Sequence, residues 1–367
     1  MVPERAATMR RLAEFIFRVV WAYLFRQARS RELWEGVPLP YRSAFISEFK
    51  IPDSLEDWLQ KREEVVSIVR ATLGELPSRP SPVNARITSV DQRDGYRIEK
   101  FYFNNGVDAE VPGLIAVPEH KPGPFPAVLT MHGHAGCKEH MFGYVSSHHN
   151  VAERLVRRGF VVFGIDDYGC GERRGKGPGG SAESIPLFEE MSLFKLNLWL
   201  GRTLWGMMLR DKQIALDYVT ARPEVDPDRI GAQGMSMGST HAWWLGSIDR
   251  RIKAAVAIGC FTRYQELIAM RELRAHGMYY FVWGLLRHFD TEGVLSLMAP
   301  RPLLALTGDR DPGSPVEGVR KLETCLQPLY ALYGRPKAFR SVVYLKTGHV
   351  YTEEMKREME AWFDKHL

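Results

Sequence analysis

The chain has 367 residues, a formal net charge of +5, 45% hydrophobic residues and 25% charged ones. Those proportions exclude a disordered or fibrous chain, and the scattered Lys and Arg form no long basic block of the kind that binds nucleic acid. Cys137, Cys170, Cys260 and Cys325 make neither a C-x-x-C pair nor a disulfide framework, so reduced thiols and a cytoplasmic location are expected.

The first 80 or so residues read as helical. Leu12, Phe15, Ile16, Val19, Val20 and Tyr23 recur at helical spacing, with Glu14 and Arg18 on a narrower polar stripe. The stretch is too short and too charged to span a membrane. A helix packed on the protein body or across a homodimer contact is expected, with an interfacial membrane helix as the alternative. Ser54 followed by Asp57 caps a second helix carrying Leu55, Trp58, Leu59, Val66 and Val69. Pro77, Pro80 and Pro82 then break the chain. The expected division is a helical extension over 1–85 and a catalytic domain over 86–367.

From about residue 95 strands and helices alternate. Two strands, 97–103 and 111–117, flank the turn signal Asn104-Asn105-Gly106. Further strands are expected at 126–131, 160–165, 228–233, 252–258, 302–306 and 341–345. Helices are expected at 151–157, 202–220, 239–245, 316–332 and 352–366. This rhythm predicts a mostly parallel central sheet covered on both faces, with the ligand site beyond the carboxyl ends of its strands. Residues 168–201 read as irregular, and 261–297 as an aromatic-rich helical stretch. Both are expected to cap the site.

Gly234-Met235-Ser236-Met237-Gly238 lies between an expected strand and an expected helix. G-x-S-x-G in that setting is a nucleophile elbow: a sharp, strained turn holds the Ser hydroxyl out at a helix N-terminus. Residues two positions away on each side must be nearly free of side chain. An activated Ser needs a base and an acid that orients it. His349, in Thr347-Gly348-His349 after a late strand, is the candidate base. Asp309 and Asp311 both follow another strand, and Asp311 reaches further over the site. The amides of Met237 and His134, the latter in His132-Gly133-His134-Ala135-Gly136, are the candidate oxyanion donors. His132, His134 and His140 could instead be read as a metal set, but the chain offers no complete ligand shell, so no metal and no cofactor is expected. Met235, Trp205, Tyr280 and Trp283 are candidate pocket residues, favouring an apolar or aromatic substrate group, and Arg173 is a candidate contact for an anionic one, with structural pairing to Glu172 or Asp167 as its alternative.

With Ser236, Asp311 and His349 in that order and the His-Gly loop ahead of them, residues 90–367 resemble the α/β-hydrolase superfamily. Within it the chain is most similar to dienelactone hydrolase-like and acetyl xylan esterase-like carboxylesterases. Asp166-Asp167-Tyr168-Gly169-Cys170-Gly171-Glu172-Arg173 and Ala299-Pro300-Arg301-Pro302 belong to the same pattern. The resemblance implies the α/β-hydrolase fold, a Ser236–His349–Asp311 triad and hydrolysis of a small-molecule ester through an acyl-enzyme. Dienelactone hydrolases carry Cys at the elbow where this chain has Ser236. Glucuronoyl esterases carry Arg where it has Met237. The alternatives on the same fold are a peptidase or a carbon–carbon bond hydrolase. A silent binding protein is the alternative of another class.

Overall fold

A computed structural model describes residues 48–145 and 150–367. The stretch 12–25, and with it the expected N-terminal helix and dimer contact, lies outside the described residues. Among the described residues no helix is long and apolar enough to cross a membrane.

The helix Leu55–Leu73 begins where the Ser54 side chain accepts the Asp57 amide at 3.1 Å, satisfying one of the donors that a helix start leaves open. It buries Trp58, Val65, Val69 and Leu73 in the same core as the sheet. The Trp58 indole N–H donates to the Tyr333 hydroxyl at 3.0 Å, so this helix is fastened to the catalytic body. The proline-bearing segment that follows has no regular structure until residue 85.

Among the described residues nine strands form one sheet in the order β1-β2-β3-β5-β4-β6-β7-β8-β9. They are β1 Ala85–Arg93, β2 Tyr96–Asn104, β3 Glu110–Pro118, β4 Phe125–Met131, β5 Val161–Ile165, β6 Val225–Met235, β7 Ile252–Ile258, β8 Leu303–Gly308 and β9 Phe339–Tyr344. The β1–β2, β2–β3 and β3–β5 pairs are antiparallel, and the five pairs from β5 to β9 are parallel. The sheet is thus mostly parallel, with an antiparallel flank. β1 was not expected from the sequence. It is an edge strand with nearly every side chain exposed, so no buried/exposed alternation marks it.

Successive side chains of a strand enter opposite faces, and here each face closes a core of its own. Leu129, Phe163, Ala255 and Leu303 join the helices Leu55–Leu73, Leu204–Thr220, Met237–Ile248 and Val316–Leu332. Val128, Val162, Val256 and Leu304 join Val151–Val156 and Glu353–His366 on the other face.

One expectation about the caps needs correction. Residues 168–201 are not irregular throughout: Pro186–Trp199 is a helix started by Pro at its first position, which fixes φ near the helical value. Its apolar residues lie on every side, so it shows no helical stripe in sequence. The second cap, 261–297, is made of short pieces, including the helices Tyr264–Ala269 and Thr291–Ser296 and the 3₁₀ turn Met278–Tyr280.

Candidate active site

Ser236 joins β6 to the helix Met237–Ile248 with φ 61° and ψ −121°, a combination that only glycine takes freely. Sterics explain the flanking glycines. A Cβ on Gly234 would lie 2.5 Å from the Gly238 backbone, and one on Gly238 would lie 2.1 Å from the Met131 carbonyl oxygen. The turn can therefore close only with glycine at both positions. Ala135 and Cys260, like Ser236 non-glycine residues with positive φ, line the same cavity as Ser236. Backbone strain of this kind clusters where a structure holds reactive groups in place. The Cys260 thiol sits 3.9 Å from Ser236 Oγ.

Asp311 follows β8 and His349 follows β9, the two strands being parallel neighbours. His349 Nδ1 donates to Asp311 Oδ2 at 2.9 Å. Asp311 is buried and also accepts the Gly313 amide at 2.8 Å and the Ser314 hydroxyl at 3.1 Å. Burial alone would pull the His349 imidazole toward neutrality, but the Asp311 hydrogen bond and charge outweigh it, so its pKa is raised. Burial would raise the Asp311 carboxyl, but the hydrogen bonds and the His349 charge hold it below its ordinary value. Asp309 serves otherwise: its Oδ1 accepts the Thr347 amide at 3.0 Å and so pins the loop that carries His349. Gly259, at φ 66°, is a position that sequence reasoning missed. A Cβ there would come within 3.0 Å of Asp311 Oδ2 and 3.4 Å of His349 Cε1.

The loop after β4 approaches the elbow from the other side. Gly133 lies so close that a Cβ on it would meet Ser236 Cβ at 3.7 Å. The turn is tied by the Gly136 amide donating to the Gly133 carbonyl at 2.9 Å. Met237 is the first residue of its helix, so its amide has no intrahelical acceptor. The ring of His134 is held by Glu190, Nε2 lying 2.5 Å from Oε2.

Ser236, His349, Asp311 and His134 all line one cavity of roughly 470 Å³. A model of the Abhydrolase family matches residues 30–325. The chain belongs to that family. YtaP of Bacillus subtilis (strain 168), a candidate hydrolase, is 35% identical over 302 residues, which span 80% of this chain and 96% of YtaP. A glucuronoyl esterase from Solibacter usitatus superposes with a TM-score of 0.67 at 18% identity, covering 88% of this chain and 99% of that one. A candidate acetyl xylan esterase from Bacteroides fragilis gives 0.64 at 20% identity, covering 83% and 79%. Both structures share the α/β-hydrolase fold with this abhydrolase.

The expected pocket residues need correction. Met235 lines the abhydrolase cavity, but Trp205, Tyr280, Trp283 and Arg173 do not. Trp205 is fully buried and stacks on His241 with ring centroids 4.1 Å apart. Tyr280 is buried against Tyr264, while Trp283 is 72% exposed. Arg173 is buried, bonds Asp211 at 2.8 Å and lies over the Tyr168 ring at 3.7 Å. In their place the cavity takes Tyr279, His276, Met131, Met141, Pro312 and Tyr351. Tyr279 and Tyr280 are neighbours on one 3₁₀ turn, so a rotation of one residue decides which faces the cavity. Burial pulls His276 down to about 4, which leaves it neutral.

Two buried ionic groups brace the abhydrolase site from behind. Lys212 Nζ bonds Asp167 Oδ1, and Asp167 Oδ2 lies 3.5 Å from His132 Nε2 and 3.8 Å from His241 Nδ1. Burial opposes ionisation of Asp167, but the Lys212 ammonium bonded to it outweighs the burial and lowers its pKa. The other group gathers Glu139, Asp166 and Glu172. Their carboxylates come close enough to hold a metal ion, but the buried Lys138 ammonium already reaches all three, at 2.6, 2.8 and 2.5 Å. Lys138 thus fixes the end of the loop after β4.

Proposed function

We propose that the protein is a serine ester hydrolase in which Ser236 is the nucleophile, His349 the general base and Asp311 the acid that orients it. The observation that carries this reading is the strained Ser236 turn opening into the same cavity as the His349–Asp311 pair. His349 takes the Ser236 proton as Oγ attacks the ester carbonyl, and the amides of Met237 and His134 stabilise the tetrahedral oxyanion. His349 then protonates the leaving alcohol and activates the water that releases the acid from the acyl-enzyme. Among the described lining residues there is no Lys or Arg, and Met131, Met141, Met235, Tyr279 and Tyr351 supply apolar surface. That supports an uncharged ester with an apolar or aromatic group.

A fluorophosphonate probe is expected to form a single adduct on Ser236, located by mass spectrometry of the digested protein. A folded, ester-hydrolysing protein that takes the probe elsewhere or not at all would overturn the reading.

The pH dependence follows from the His349 shift. The base works only when neutral, and its pKa is raised, so kcat/KM rises with pH through an inflection above the ordinary histidine value of about 6.5. Asp311→Asn removes the carboxylate that raises it, so the inflection moves down while the rate falls. A pH profile of p-nitrophenyl acetate hydrolysis for both proteins checks the sign. An inflection that stays in place in the variant would separate Asp311 from the base.

A further inference from the structure

The oxyanion loop carries one of the two proposed donors, the His134 amide, and the reading above requires that amide to be held toward Ser236. Beyond the Gly136–Gly133 turn, the loop's side-chain anchor at that residue is Glu190, which comes from the cap helix Pro186–Trp199. The Glu190 side chain is only 10% exposed. Each of its oxygens has a separate task. Oε2 is 2.5 Å from His134 Nε2, and Oε1 accepts the Tyr279 amide at 3.2 Å. Tyr279 belongs to the second cap, and its ring packs on His134 at 5.0 Å. One carboxylate therefore joins the first cap, the second cap and the oxyanion loop at the cavity wall. Gly277 fits the same geometry: a Cβ there would meet Tyr279 Cε1 at 2.5 Å and Glu190 Oε1 at 2.6 Å, so a side chain at that position would push the carboxylate or the ring aside.

We propose that Glu190 is a positioning residue that holds the His134 amide in the oxyanion hole by clamping the His134 ring to both caps. The proposal rests on the ester-hydrolase reading above. Glu190 touches neither substrate nor the reacting atoms; it acts through His134. Both partners donate to it, so the carboxylate fixes His134 with its proton on Nε2. Its loss leaves the elbow, the His349–Asp311 pair and the Met237 amide untouched. What is lost is stabilisation of charge that develops only in the tetrahedral state, which lowers kcat and leaves ground-state binding in place.

The test uses the full chain and the variants Glu190→Ala and Glu190→Gln. Readouts are kcat and KM for p-nitrophenyl acetate, inhibition by phenylboronic acid, and inhibition by acetanilide. The boronate forms a tetrahedral adduct on the serine; acetanilide occupies the cavity as a planar amide. Outright removal of an oxyanion donor costs about 10²–10³ in kcat, so misaiming one in Glu190→Ala is expected to cost about tenfold to hundredfold. KM is expected to stay within about threefold, because substrate binding in the ground state is not the lost term. Boronate affinity falls by the same factor as kcat, and acetanilide inhibition holds. Glu190→Gln keeps one acceptor of the two and falls between wild type and Glu190→Ala.

Wild-type kcat and boronate affinity in Glu190→Ala would overturn the clamp. So would an equal loss of boronate and acetanilide binding in both variants, with a lowered melting temperature, since that marks a merely structural role. If the wild-type protein neither hydrolyses esters nor binds the boronate, the ester-hydrolase reading fails and the clamp falls with it. Those outcomes differ in whether the wild type or only the variant is silent.

Discussion

Ser236→Ala is expected to lower kcat for p-nitrophenyl acetate by about 10³-fold or more while the protein stays folded, since a triad without its nucleophile keeps only the catalysis of the oxyanion hole and of binding. The fold has little stake in the hydroxyl: Ser236 is half-buried, and its side chain makes no capping bond to the helix that it starts. The backbone has a stake in the residue type. At φ 61° and ψ −121° any side chain is strained, so Ser236→Gly is expected to be as inactive as the alanine variant yet more stable, by about 1–2 kcal/mol. Activity and stability then move in opposite directions at one position. Urea unfolding and initial rates on the three proteins check both signs. A glycine variant no more stable than wild type would mean that the turn stores no strain.

Asp167→Ala is expected to be the most destabilising of the changes considered. It leaves the Lys212 ammonium fully buried without its partner, and breaking a buried pair on one side typically costs about 3–5 kcal/mol. Raising the pH should return part of the loss, because an unpaired buried ammonium sheds its proton more easily than one in water. Replacing both partners at once, Asp167→Leu with Lys212→Met, removes both charges of this pair and is expected to recover most of the stability. The midpoint of urea unfolding for the single and double variants decides it. An additive double variant would show that the two groups do not interact.

The elbow was legible in the sequence because its requirement is steric and local. Gly234 and Gly238 are needed by contacts of 2.5 and 2.1 Å that any side chain would violate, so the pattern survives in the letters. The pairing of Asp311 with His349 was legible from order along the chain, since both follow strands of a parallel sheet and so arrive at the same edge. The pocket wall was not. Trp205 and Tyr280 are aromatic, but large rings gain most from full burial, and both joined the main core instead. The helix Pro186–Trp199 was hidden for a related reason. Helical reading depends on a contrast between an apolar and a polar face, and its run of Leu, Phe and Trp residues offers little contrast. With that helix went Glu190, whose partners lie 56 and 89 residues away. β1 failed in the opposite way, being polar enough to look like loop.

Ser236 and His349 hang from parts of the sheet with unequal support. β6 is paired on both sides, by β4 and β7, so Ser236 rises from the middle of the sheet. His349 follows β9, which among the described residues is an edge strand paired only with β8 and is half-exposed along most of its length. Edges open at lower free energy than centres. The two residues therefore need not be lost together. Under the proposed function, a brief loosening of β9 would carry His349 away while Ser236 keeps its strained turn, so activity is expected to be lost by local opening well before the sheet as a whole comes apart.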